Sequence, residues 1–162
     1  MKLKLDRDSA ARILTLDWSE IIAGVREQWL DPGVAVDFAI KQIEAGNSEP
    51  ILLDLAACSY SDTIGIHDSL ERIEAQIPGS VIDNKKWALI MLTLGFEQQR
   101  KLLDPLQFVE EVYAEYDYPS EISHLVRYMP NEGPPRDLMR EWKQFIDAQV
   151  YDVLVSRNRV RC

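Results

Sequence analysis

The most hydrophobic segment of this 162-residue chain is residues 83–101, with the sequence DNKKWALIMLTLGFEQQRK. Its apolar side chains recur at the three- and four-residue spacing of one helix face, at Trp87, Ile90, Met91 and Leu94. The longest apolar run inside it is far shorter than the roughly 20 residues that a membrane-spanning helix requires. We therefore predict a buried helix over 83–101 at the centre of a helical domain.

On the N-terminal side of this segment, caps and helix breakers predict four further helices. Asp17 and Glu20 have the spacing of a capping box. The predicted order is a helix after Asp17, a second from Asp31-Pro32 to Gly46, a third from Glu49-Pro50, a loop over 59–65, and a fourth from about Ile66 to Pro78-Gly79. Lys2 to Leu5 is the only stretch with the alternation of a strand.

On the C-terminal side, the same signals predict three more helices. They are a sixth helix from Asp104-Pro105 that Tyr118-Pro119-Ser120 ends, a seventh over 121–127, and an eighth from about Arg136 to Val155 after a loop over 129–135. The fold class is therefore all-α, a bundle of about eight helices in antiparallel pairs, loosely solenoid-like. The segments do not align at a fixed period, so no repeat is predicted.

Length and composition predict one helical domain over residues 1–162. The apolar fraction of 46% is ordinary for a chain that folds without a disulfide or a metal. Cys58 lies among apolar residues and is predicted to be buried, and no bridge to the terminal Cys162 is expected. The first residues lack the apolar core of a signal peptide, so we expect a cytoplasmic protein.

The net charge of −9 is concentrated in two acidic segments. Residues 44–84 contain eight acids and one base, and residues 104–121 contain six acids and no base. Such segments repel nucleic acid and attract basic protein surfaces. They are equally compatible with solvated helix faces that have no binding role.

No arrangement of residues in the sequence favours catalysis or a cofactor. His67 and His124 both lie in or beside acidic segments, where a phosphate substrate would be repelled, so we expect structural or surface roles. No Cys/His cluster, calcium loop, glycine-rich phosphate loop or nucleophile elbow is present. We therefore expect a protein that is not an enzyme and that carries no metal or cofactor.

Tyrosines interleaved with acids are the most informative feature for function. Aromatic rings supply buried contact area at an interface, and acids steer and pair with basic side chains. The predicted partner-binding residues are Glu110, Glu111, Glu115, Tyr116, Asp117, Tyr118 and Glu121. The second candidate face consists of Asp62, Asp68, Glu71 and Glu74. Tyr113 is predicted to lie in the core, whereas Tyr116 and Tyr118 suit either the core or an interface.

Short motifs along the chain resemble a known family. They are Leu16-x-Trp18, Ile22-x-Gly24, Asp54-Leu55-Ala56, Lys86-Trp87, Tyr113-Ala114-x4-Tyr118-Pro119 and Tyr128-x-Pro130. Together they span about Leu14 to Val155 and resemble DUF2247, a bacterial all-helical domain-of-unknown-function family. The resemblance implies a place in polymorphic-toxin and contact-dependent-inhibition loci, where members would serve as immunity proteins. It supplies no catalytic residues.

This resemblance and the charge distribution lead to one expectation. The chain would bind and occlude a cognate toxin domain, a basic protein of nuclease type, without contacting nucleic acid or a membrane. The alternatives are a helical adaptor that joins two proteins, or a small hydrolase whose site a single sequence does not show.

Overall fold

The computed structural model describes residues 3–13, 16–77, 82–130 and 133–160. These residues form eight α-helices and two 3₁₀ helices and contain no strand, apart from an isolated bridge between Leu5 and Leu30. The predicted all-α class is confirmed. The chain divides into two compact units, Lys4–Ile82 and a C-terminal unit that begins at Asp83. The single domain over residues 1–162 stays a prediction.

The N-terminal unit contains five helices. They are α1 (Arg7–Ile13), α2 (Trp18–Arg26), α3 (Gly33–Glu44), α4 (Pro50–Ala56) and α5 (Thr63–Glu74). The predicted capping box at α2 is confirmed, because Asp17 Oδ1 accepts from the Glu20 N–H at 2.8 Å and Glu20 Oε2 accepts from the Asp17 N–H at 3.2 Å. Asp31 Oδ1 likewise accepts from the Gly33 N–H at 2.8 Å, so α3 begins close to the predicted position.

Gly46 ends α3 as predicted. Its φ of +101° is in the region that favours glycine. The Gly46 N–H donates to the Ile43 carbonyl and the Asn47 N–H donates to the Gln42 carbonyl, both at 3.0 Å. These two bonds form a Schellman motif, which satisfies carbonyls that the helix end would leave unpaired.

Two features of the N-terminal unit differ from the prediction. Helix α1 was not predicted, because seven residues carry too little periodicity; an Arg7–Asp37 ion pair of 2.7 Å joins it to α3. Helix α5 begins at Thr63, inside the predicted loop over 59–65, because Asp62 Oδ1 caps it by accepting from the Gly65 N–H at 3.0 Å. The predicted stop at Pro78-Gly79 lies outside the described residues.

The C-terminal unit contains α6 (Asn84–Glu97), α7 (Pro105–Glu115) and α8 (Leu138–Val160). The predicted helix over 83–101 therefore ends at Glu97, and a 3₁₀ helix (Gln99–Lys101) follows it. The predicted seventh α-helix is a 3₁₀ helix, Ser120–Leu125, and α8 starts later and ends later than predicted. Among the described residues, no helix is long and apolar enough to cross a membrane.

Helix α6, predicted at the centre of a single domain, packs against both α7 and α8 in the C-terminal unit and is buried there. Trp87 is 1% exposed, and the other three predicted inward residues are completely buried. The buried Trp142 of α8 donates from Nε1 to the Leu92 carbonyl at 3.2 Å. Gly95 lies so close to the Phe108 ring that a Cβ there would be 2.2 Å from a ring carbon. Helices α6 and α7 can approach this closely only with glycine at that position.

Candidate functional site

The C-terminal end of α7 turns the chain so that two tyrosines meet. The Tyr118 N–H donates to the Tyr113 carbonyl at 2.8 Å, and the Asp117 N–H donates to the Ala114 carbonyl at 3.3 Å, which is again a Schellman motif. The Tyr118 ring then stands edge-on to the Tyr113 ring, with centroids 5.2 Å apart. Tyr113 is buried, as predicted, whereas Tyr118 is 58% exposed.

This turn holds two non-glycine residues in the left-handed region. Asp117 has φ +64° and Tyr118 has φ +55°. Aspartate tolerates this region better than most residues, whereas a bulky side chain there is uncommon. Strained backbone of this kind clusters at functional sites, so this turn supports the surface around it as a candidate functional site.

Tyr128 is the second exposed ring of the cluster, at 60% exposure. Partial desolvation and its neighbours Tyr113, Tyr118 and Glu110 raise the pKa of its phenol. The hydroxyl therefore remains a neutral hydrogen-bond donor at physiological pH.

Arg127, next to Tyr128, neutralises part of the acidic segment. Its guanidinium binds Glu110 at 2.9 and 3.3 Å and Asp104 at 3.0 Å. The hydrogen bond from the Gln107 N–H, with a smaller contribution from Arg127, holds the pKa of the Asp104 carboxyl below its usual value. Glu110 is therefore engaged within the protein and is less available to a partner than predicted.

Glu121 is also paired. Its Oε1 lies 2.6 Å from Lys85 Nζ, and this bond lowers the pKa of the Glu121 carboxyl. Both cations come from outside the segment 104–121, so the segment is less negative in the fold than in the sequence.

Glu111, Glu115 and Asp117 remain exposed on the surface. In the part of the chain that the structure describes, neither Glu111 nor Asp117 has an ion-pair partner. We use the name tyrosine–acid surface for these three exposed acids together with Tyr118 and Tyr128, which lie in the C-terminal half of α7 and in the segments that follow it. Leu103, fully exposed before the first turn of α7, lies at the opposite end of that helix, about 16 Å away at 1.5 Å per residue.

Tyr116 is not part of this surface, and its assignment as a partner-binding residue is wrong. Its side chain is 1% exposed, in the core of the C-terminal unit, and desolvation raises its pKa strongly. The helical spacing of α7 continues to Tyr116 and points it inward, whereas the left-handed turn after it directs Tyr118 outward.

The second candidate face lies on α5, in the N-terminal unit. Asp62 caps the helix and Glu74 is paired with Arg26, which leaves Asp68 and Glu71 exposed without an ion pair among the described residues. Ile64 is 84% exposed on the same helix. The sequence analysis missed Ile64 and Leu103, because single exposed apolar residues have no pattern that separates them from core residues.

The remaining reactive side chains are engaged locally. His67 Nδ1 lies 2.6 Å from the Thr63 carbonyl, and the His124 ring packs edge-on against Phe145. Cys58 is half-buried rather than buried, and desolvation with the nearby Asp62 charge raises the pKa of its thiol. Among the described residues, no three His, Cys, Asp or Glu side chains are grouped to hold a metal ion.

Comparison with known proteins gives one match. The model of a family described as an uncharacterized protein conserved in bacteria, DUF2247, matches residues 8–150. No curated protein and no solved structure matches the chain.

Proposed function

We propose that this chain, which belongs to the bacterial family DUF2247, acts by binding a basic protein through the tyrosine–acid surface. The observation that carries the proposal is the pair of exposed rings, Tyr118 and Tyr128: Tyr118 stands edge-on to the buried Tyr113, and Tyr128 lies near both rings and near Glu110. Exposed tyrosines fixed by their surroundings are typical interface anchors, since they bury a large area and lose little entropy on binding.

The acids determine the charge that a binding partner must carry. Among the described residues Glu111 and Asp117 have no ion-pair partner, so their field is directed to solvent and would accelerate encounter with a basic surface. The same field disfavours nucleic acid. A protein partner with a basic binding face is therefore the best fit to this surface.

The finer proposal is that the chain is a cytoplasmic immunity protein and that the partner is a toxin domain of nuclease type. A nuclease binds a polyanion and therefore presents a basic cleft. An acidic protein can reach that cleft quickly and cover it, and this inhibition requires no catalysis and no cofactor.

The test uses two matched double variants and, as the partner, the toxin domain that an immunity role predicts to be encoded directly upstream of this gene. Glu111→Gln/Asp117→Asn removes two charges from the tyrosine–acid surface, and asparagine tolerates the left-handed φ. Asp68→Asn/Glu71→Gln removes two charges from α5. We expect the first to slow association by about 3- to 10-fold at low ionic strength, a part of the roughly 10- to 1,000-fold that steering supplies in total.

The control variant should leave the association rate nearly unchanged. The wild-type rate should fall between 0.01 and 0.15 M salt, where the Debye length shrinks from about 30 to about 8 Å. Tyr118→Ala should instead raise the dissociation rate about fivefold or more, with little salt dependence. Slower association of the α5 variant alone would show that the interface lies on α5 instead. Equal rates in all variants would refute a charge-steered interface.

A further inference from the structure

A cavity of about 320 Å³ opens in the C-terminal unit, between the start of α6, the 3₁₀ helix Ser120–Leu125 and α8. Its walls are mostly apolar and include Ala88, Leu89, Ile122 and Phe145. This volume and lining are typical of sites that receive one small apolar group. Pro119 belongs to the wall and directly follows Tyr118, so the cavity adjoins the tyrosine–acid surface.

The rim carries an exposed ion pair. Glu121 Oε1 lies 2.6 Å from Lys85 Nζ. Lys85 is a longer side chain and is 72% exposed, against 44% for Glu121. The ammonium is therefore the more exposed member of the pair, and it can leave the carboxylate with little loss because an exposed ion pair stabilises weakly.

We propose that this cavity is a socket for an apolar side chain of the protein partner, and that a neighbouring basic residue of the partner replaces Lys85 on Glu121. The proposal rests on the proposed function only in taking a protein segment as the occupant. The apolar wall selects the aliphatic or aromatic side chain, and the Glu121 carboxylate selects the cation beside it. Asp83, the other acid of the lining, is already engaged, since it accepts from the Lys86 N–H at 3.1 Å.

Short blocked peptides test the socket without the toxin. The probes are N-acetyl-Phe-Arg-amide, N-acetyl-Phe-Glu-amide and N-acetyl-Gly-Arg-amide, titrated while the NMR methyl signals of Ala88, Leu89 and Ile122 are followed. We expect saturable shifts with Phe-Arg, at least about tenfold weaker binding of Gly-Arg, which lacks the buried ring, and about two- to fivefold weaker binding of Phe-Glu, which lacks the cation.

Variants of the rim make the test sharper. Glu121→Gln should weaken Phe-Arg binding, whereas Lys85→Ala should strengthen it by vacating the carboxylate. Lys86→Ala removes an equal charge from the same rim and should strengthen binding less. Tighter binding of Phe-Glu, or weaker binding of Phe-Arg to Lys85→Ala, would show an anion site and overturn the proposal. Absence of shifts with all three probes would also overturn it.

The toxin measurements test the proposed interface and the peptide measurements test the socket, so one proposal can be refuted without the other. Loss of the steering effects with intact Phe-Arg binding would refute the proposed interface and leave the socket. Normal steering without peptide binding would refute the socket alone.

Discussion

Replacement of Asp117 by glycine and, in a matched variant, by alanine separates backbone strain from charge at the end of α7. Asp117 is exposed, has φ +64° and occupies the position of the Schellman motif where glycine is favoured. Both variants lose the same carboxylate. Any difference between them in the free energy of unfolding therefore reports the left-handed backbone.

The magnitude follows from two opposing effects. A non-glycine residue in the left-handed region costs about 1–2 kcal/mol, and glycine relieves that strain. Glycine also loses more conformational freedom on folding, about 0.5–1 kcal/mol relative to alanine. Asp117→Gly should therefore be about 1 kcal/mol more stable than Asp117→Ala, which corresponds to a Tm higher by roughly 2–4 °C for a chain of this size.

Urea and thermal unfolding, followed by circular dichroism, measure the difference. If Asp117 also steers a partner, the two variants should associate at the same reduced rate, because their charge is equal. Equal stability of the two variants would refute the strain, and a faster association of one would show that the turn conformation, rather than the charge, governs encounter.

Three further predictions concern the core of the C-terminal unit and its neighbouring surface. Tyr116→Ala should lower the free energy of unfolding by about 3–5 kcal/mol through lost burial and a cavity, whereas Tyr118→Ala should change it by less than about 1 kcal/mol; similar losses in chemical denaturation would place both rings in the core. The pKa of Tyr116 is raised in the folded state, so the stability that its neutral phenol contributes is fully present below the unfolded pKa of about 10. As pH rises above that value, the free energy of unfolding should fall by about 1.4 kcal/mol per pH unit, and Tyr116→Phe should abolish this pH dependence. A variant that retains the full alkaline slope would assign it to another group. Trp142→Phe should cost about 1–3 kcal/mol, since the buried Leu92 carbonyl loses the indole donor; wild-type stability in thermal unfolding would contradict this.

Sequence patterns predicted most of the helices, because their signals are local. Asp17 with Glu20, Gly46, and Asp104 before Pro105 each act within one turn of the helix they begin or end. Helix α1 was not predicted because the contacts that stabilise it come from residues distant in sequence. The Leu5 N–H donates to the Trp29 carbonyl, Leu5 accepts from Asp31, and Arg7 pairs with Asp37.

The candidate site was predicted only in part for the same physical reason. The sequence placed tyrosines and acids together at residues 110–121 and marked Tyr113 as a core residue. It could not show that Arg127 and Lys85 reach back to Glu110, Asp104 and Glu121, since such pairing depends on how the chain folds back. That Glu111 and Asp117 have no ion-pair partner among the described residues emerged only from the contacts of the folded chain.

The sequence by itself therefore determined the helical class, the buried face of α6 and the concentration of acids with tyrosines. Hydrophobic periodicity and end caps are local properties, and they persist whatever the rest of the chain does. Only the tertiary structure decided which tyrosine faces solvent and which carboxylates pair with a cation. Tyr116 and Tyr118 are two residues apart, and a single left-handed turn sends one into the core and the other to the surface.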